Sequence, residues 1–214
     1  MKNSLEEISK NTIERYNKRF ELLGEDVKSL GWGDKEQQNT RFMQVGALFN
    51  FSKKSVLDIG CGFADLNTFF EKNNIDLEHY IGWDINENFL DVARKRYPES
   101  LFEIVDLTTL DNVEVSADIG IMLGLLNFKL DDIATNIEYS KRMIKKAFDS
   151  VRKALVVDFL SLHICDSYPK EDAVFYHNPS EMLQFALELT PNVRLIHNYQ
   201  PIPQKEFMLV LEHV

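Results

Sequence analysis

The residues best suited to chemistry lie in the run Val56-Leu-Asp-Ile-Gly-Cys-Gly-Phe-Ala-Asp-Leu66, an apolar stretch entering a glycine-rich turn and leaving as a helix. Glycine serves such a turn because bare backbone can approach a ligand closely and take positive φ without Cβ strain. Asp58, just before the turn, adds negative charge, which suits a ligand with a cationic end better than a pyrophosphate. About 20 residues beyond Gly62, Asp84 closes the next apolar run, the interval at which an acid can hold both hydroxyls of a ribose. Asp106 closes a third run, in Glu103-Ile-Val-Asp-Leu-Thr108. Parallel strands ending in these aspartates would gather three carboxylates in one crevice, at the switch point where open α/β sheets bind ligands.

Plainer readings stand beside this one. A glycine-rich turn alone can be a tight strand-to-helix connection with no ligand, although two further acidic strand ends weigh against that. A nicotinamide site is a stronger competitor, yet the third glycine position of a dinucleotide fingerprint starting at Gly60 is Asp65, an acid that would face the pyrophosphate. Cys61 has no partner base nearby in sequence and reads as a small residue in a crowded loop. His79, His163, His177, His197 and His213 show no paired spacing and no adjoining cluster of metal type, so no metal is expected. His163 follows the fifth apolar run, and His177 adjoins a helix start marked by Asn178, Pro179 and Glu181; each is a candidate general base or a polar loop residue. The basic run Lys141-Arg-Met-Ile-Lys-Lys146 reads as the solvated face of a helix, with RNA binding the less favoured alternative.

The elements that must hold these residues follow from periodicity. Leu5, Ile8, Ile13, Tyr16, Phe20 and Leu23 recur at helical spacing, with Ser4 and Glu7 as a capping box and Gly24 as a stop. After Gly31-Trp32-Gly33, Asp34 with Gln37 caps a second helix bearing Phe42, Val45 and Phe49. From Ser55 the pattern alternates: strands at 55–59, 80–83, 101–105, 118–123 and 154–159, helices near 65–72, 87–97 and 132–151. Such alternation implies βαβ units and a parallel sheet covered on both faces. Two final strands, 193–199 and 206–213, are joined only by the Pro-containing connector 200–205, too short for a parallel crossover, so they should be antiparallel. The expected fold is α/β, a doubly wound, mostly parallel seven-stranded sheet with an antiparallel last strand, in a domain spanning 52–214 behind an N-terminal helical extension, 1–51.

Composition narrows the class. The chain has 214 residues, 44% hydrophobic and 27% charged, ordinary values for one folded domain. A formal charge of −10 repels polyphosphate and anionic lipid, so nucleic acid is not an expected partner. Cys61 and Cys165 are too few for a disulfide framework, and the longest apolar stretch, near 119–126, falls far short of a membrane span; a cytoplasmic protein without a membrane partner is expected.

Taken together, the motifs resemble the class I methyltransferases that use S-adenosylmethionine. Val-Leu-Asp-Ile-Gly-Cys-Gly resembles the first motif, Tyr-Ile-Gly-Trp-Asp84 the second, Asp106-Leu107 the third, and 117–125 the fourth strand, with the likeness running from Phe51 to the C-terminus. The resemblance implies a cradle for the methionine moiety at Gly60, Cys61 and Gly62, with Asp58 near its amino group. It places Asp84 and Ile85 at the ribose, Asp106 and the Leu107 backbone at the adenine, and Leu123 and Gly124 beside the sulfonium. One departure is Ala64, where the family often has a third glycine. The Gly-Trp-Gly segment with Gln38 and Arg41 is similar to the extension of bacterial small-molecule members, where it folds over the cofactor and Arg41 would meet the methionine carboxylate. Asn127 stands where amino-directed members carry an acid or Asn followed by Pro-Pro and an aromatic; no prolines follow here, which disfavours DNA adenine and glutamine as acceptors. The expected activity is methyl transfer to oxygen or nitrogen of a small molecule, with Asn127, His163 and His177 as catalytic candidates. Tyr16, Trp32 and Tyr176 are candidate aromatic walls for the acceptor, Tyr16 also fitting a core role. The alternatives are a non-catalytic S-adenosylmethionine-binding protein and a methyltransferase acting on RNA or protein.

Overall fold

The computed structural model describes residues 5–110, 114–130, 132–163, 170–199 and 205–214. Ser4 of the expected capping box, Cys165 and most of the 200–205 connector lie outside them. An N-terminal helix α1 (Leu5–Leu23), a single 3-10 turn (Val27–Leu30) and α2 (Lys35–Gly46) precede the sheet. Then come β1 (Ser55–Ile59), α3 (Asp65–Lys72), β2 (His79–Asp84), α4 (Glu87–Arg96), β3 (Leu101–Ile104) and β4 (Ala117–Met122). The chain continues through α5 (Ile133–Asp149), β5 (Val151–Leu160), α6 (Pro179–Leu189), β6 (Asn192–Ile196) and β7 (Glu206–Glu212).

The strands form one sheet in the order β3-β2-β1-β4-β5-β7-β6. Strands β1 to β5 are mutually parallel, and β7 lies between β5 and β6, antiparallel to both. The final antiparallel pair is therefore the one that the short connector required. Strand order reverses between β1 and β4, where chain connections leave in opposite directions and open a crevice. The fifth strand starts earlier than periodicity implied, because Val151 pairs with Ala117 directly after Ser150 ends α5. Phe49, expected on α2, lies past its end and meets Phe51 edge-on.

Alternation along the strands divides the core. Leu155, Val157, Phe159, Phe207, Leu209 and Leu211 face α5 and α6, whereas Val156, Met208 and Val210 face α2 and α3 with Phe42, Val45 and Phe70. Both faces are apolar because both are covered, as parallel sheets require. The extension closes over the sheet's carboxyl edge. Phe20 meets Phe63 and Phe89 with ring centroids 5.8 Å apart, and Asn17 accepts hydrogen bonds from the side-chain amides of Asn86 and Asn88. Ser9 reaches the Thr108 hydroxyl at 3.2 Å. No helix among the described residues is long and apolar enough to cross a membrane.

Candidate active site

A cavity of about 580 Å³ opens at the carboxyl ends of β1, β2 and β4, a size suited to one or two small ligands. Asp58, Asp84 and Asp106 all line it, together with Gly60, Cys61 and Gly62. Backbone geometry explains the glycines: φ is +76° at Gly60 and +53° at Gly62, and a Cβ at either would lie within 2.7 Å of Leu125 or Leu30. Ala64 also takes a left-handed conformation, φ 59°, as the residue capping α3, a strain of about 1–2 kcal/mol for a non-glycine. The turn is held by Gly60 and Cys61 N–H groups, which both donate to the Trp83 carbonyl.

Each carboxylate is fixed differently. Asp84 Oδ2 accepts from the Gly62 N–H and Oδ1 from the Asn86 N–H, both at 2.9 Å, so the second strand end clamps the first turn. Burial nevertheless raises its pKa to about 6, the backbone donors of Asn86, Gly62 and Ile85 opposing the rise. Asp58 takes a hydrogen bond from the Tyr80 hydroxyl; burial raises it to about 7, with Asp84 and Asp65 adding to the rise. Asp106 Oδ1 accepts from the Thr108 N–H and hydroxyl. The Cys61 thiol is pushed up by burial and by the neighbouring carboxylates, which keeps it protonated and unreactive.

The cavity also gathers Gln38, Arg41, Ile85, Leu107, Leu123, Gly124, Asn127, Tyr16 and Trp32. Arg41, expected at the methionine carboxylate, is already engaged: Nε lies 3.2 Å from Asp158, one terminal nitrogen bonds Glu206, and the other donates to the Gln37 carbonyl. Its guanidinium stacks 4.6 Å from the Trp32 ring. Asp158 in turn accepts from the Gly124 N–H at 2.6 Å, and Trp32 covers Gly124. Arg41 thus ties α2 to β5, β7 and the end of β4. Burial depresses its pKa and raises that of Asp158, each opposed by the other's charge. Gln38 donates to Asp65 at 3.1 Å.

Asn127 Oδ1 accepts from the Leu160 N–H, so its side-chain N–H₂ is what it can offer the cavity. His163, His177 and Tyr176 do not line the cavity. His177 is buried with Nε2 2.9 Å from Ser140, and burial lowers its pKa to about 3, leaving it neutral. His163 stands beside His197, and the Tyr176 hydroxyl accepts from the Glu171 N–H. Cavity residues that motif reasoning missed are Arg15 and Arg19 on α1, Tyr139 and Met143 on α5, and Glu171. Helical spacing with Ile8 and Thr12 was the available signal for the arginines. The run 141–146 is largely engaged: Lys141 meets Glu181, Lys145 meets Asp149, and Arg142 donates to the Thr108 carbonyl. Among the described residues no cluster of metal-ligating side chains occurs.

Residues 56–147, which contain the turn and all three acidic strand ends, match the family described as a methyltransferase domain. That match takes in the first four strands of the sheet and the glycine turn between β1 and α3. Solved structures agree on the fold. The magnesium protoporphyrin IX methyltransferase of Synechocystis PCC 6803 with bound S-adenosylhomocysteine is 15% identical, with TM-score 0.63 over 97% of this chain and 96% of that one. The methyltransferase domain of a bacterial Hen1 is 16% identical, TM-score 0.61, over 82% and 99%. An S-adenosylmethionine-dependent methyltransferase from Mesorhizobium loti is 14% identical, TM-score 0.59, over 85% and 99%. No curated protein sequence matches the chain.

The Synechocystis enzyme has also been solved with bound S-adenosylmethionine. The cavity of the present chain suits a molecule of that kind on chemical grounds: carboxylates facing one cavity complement a ribose diol and an ammonium group, and they would repel a pyrophosphate.

Proposed function

We propose that this enzyme methylates an oxygen or nitrogen of a small molecule. The observation that carries this reading is the convergence of Asp58, Asp84 and Asp106 with the Gly60–Gly62 turn on a single cavity that extends past Gly124 to Asn127 and α1. In this reading Asp84 holds the ribose hydroxyls, Asp58 the amino group, Asp106 and the Leu107 backbone the adenine, and Leu123 and Gly124 the reacting end. When bound, the cofactor supplies a methyl group on a cationic sulfur, which passes to the acceptor as its proton is lost, leaving S-adenosylhomocysteine.

The chain's own work is alignment and exclusion of water, for which orientation can contribute roughly 7–11 kcal/mol. Helix α1 and Trp32 close the cavity, and the Asn127 amide can orient an acceptor oxygen or nitrogen. No histidine lines the cavity among the described residues, which favours acceptors needing little help in losing a proton. A small molecule is preferred over RNA because net charge is −10 and the basic residues of α5 are mostly engaged with neighbours.

Calorimetry with S-adenosylhomocysteine, followed by incubation with S-adenosylmethionine and pooled metabolites, tests this. Binding with release of S-adenosylhomocysteine is expected. Binding without turnover on any pool favours a sensor, and thermal stabilisation by NAD instead of S-adenosylhomocysteine defeats the proposal.

A further inference from the structure

Two cations on the cavity wall have no counterpart in the roles assigned so far. Arg15 and Arg19 stand one turn apart on α1, both half-buried and both lining the cavity. Their guanidinium groups have no hydrogen-bond or ion-pair partner among the described residues. Elsewhere Arg41, Arg94, Arg96, Arg152 and Arg194 each meet a carboxylate, and Arg142 donates to a backbone carbonyl. In a chain with 34 acidic and 24 basic side chains, carboxylates are in surplus, so unpaired arginines inside a concavity are conspicuous. Like charges four residues apart also repel, a cost that an isolated helix would gain nothing by keeping. Each ring beneath them is aromatic: Arg15 lies 4.2 Å over Phe128, and Arg19 lies 5.9 Å from Tyr16. Phe128 follows Asn127 beyond the end of β4, so Arg15 stands on the β4 side of the cavity, whereas Asp84 ends β2.

We infer that the acceptor is an anion whose carboxylate or phosphate group is held by Arg15 and Arg19. A planar guanidinium matches either group with paired N–H donors, and side chains one helical turn apart can grip a single anion between them. Burial and the neighbouring Arg19 depress the Arg15 pKa, the strain that a bound anion relieves. Because the protein as a whole repels anions, this local pair is what admits one. The inference rests on the methyltransferase reading of the cavity and adds its substrate class.

The test compares the 214-residue chain with its R15Q/R19Q and R15K/R19K variants. Glutamine and lysine have helix propensities close to arginine, so α1 is retained, which far-ultraviolet circular dichroism verifies. S-adenosylhomocysteine is titrated first, then inorganic phosphate or succinate into the protein saturated with it, all by calorimetry. Expected is an unchanged S-adenosylhomocysteine affinity, within twofold, and binding of phosphate or succinate that weakens at least tenfold in R15Q/R19Q and is largely kept in R15K/R19K. The stronger of the two probes names the anionic group. Loss of S-adenosylhomocysteine affinity in R15Q/R19Q would assign the pair to the cofactor's own carboxylate and overturn the inference. So would anion binding that is absent or indifferent to the substitutions. Failure of S-adenosylhomocysteine to bind the unaltered protein would instead remove the methyltransferase reading beneath it.

Discussion

Replacing Arg41 by methionine keeps much of the side chain's length but deletes its charge, and the structure sets how much that should cost. Arg41, Asp158 and Glu206 side chains are 7%, 1% and 5% exposed, so water screens the cluster little. Without the cation, two carboxylates are left buried and uncompensated, a loss of about 3–5 kcal/mol when one member of a buried ionic group is removed. For a chain of this size that corresponds to roughly 6 to 20 °C in melting temperature. The deficit should depend on pH. In R41M, burial without a cation raises the folded-state pKa of Asp158 further above its unfolded value, so the folded form binds more protons. Stability of the variant then falls as pH rises through the raised value and recovers on acidification. Urea unfolding at pH 8 and pH 5.5, followed by circular dichroism and tryptophan fluorescence, measures both effects. The triple variant R41M/D158N/E206Q should regain most of the loss, because no charge remains to be buried. A cost below about 1 kcal/mol at pH 8, unchanged at pH 5.5, would refute the view that this cluster anchors the extension.

Other outcomes follow from the carboxylates and the turn. Asp58, at about 7, and Asp84, at about 6, gain protons as pH falls, losing the negative charge that a ligand's ammonium group would meet. S-adenosylhomocysteine affinity should therefore weaken about tenfold or more between pH 8 and pH 6 by calorimetry, and D58N should flatten the upper part of that dependence. Gly60→Ala should lower stability by about 1–2 kcal/mol in urea, from positive φ, and weaken cofactor binding by displacing Leu125. His177→Gln should cost about 1–3 kcal/mol of stability through its buried bond to Ser140, yet leave the pH profile of methyl transfer unchanged, because a histidine with pKa near 3 is neutral throughout that range.

The part of the cavity built from the glycine turn and the acidic strand ends was legible because it depends on local patterns. A strand ending in Asp and a turn needing two glycines are written in contiguous residues, and alternation places them on one sheet edge. What stayed hidden depends on long-range partners. Arg41 looked free to meet a ligand until Asp158 and Glu206, on strands far along the chain, were seen around it. His177 looked like a base because it adjoins the helix start at Asn178, whereas the turn of its ring toward Ser140 on α5 is a packing outcome. The antiparallel ending was deducible from connector length, but the placement of β7 inside the sheet, beside β5, was not. Arg15 and Arg19 did leave a trace in a like-charge pair on the face of α1 that also carries Ile8 and Thr12, a pattern that reads as ordinary solvation until a cavity is found beneath it.

The bond from Arg41 to Glu206 spans 165 positions of sequence, and that separation bears on how the molecule is made. At ribosomal rates of 5–20 residues per second, roughly 10 to 30 s pass between translation of the guanidinium and of its distant carboxylate. During that interval β5 lacks the neighbour that covers its edge, and Arg41 on α2 lacks the carboxylate that ties it to β7. The binding pocket is consequently among the last parts of the polypeptide to take shape, and agents that shield unfinished sheets have most to protect in those seconds.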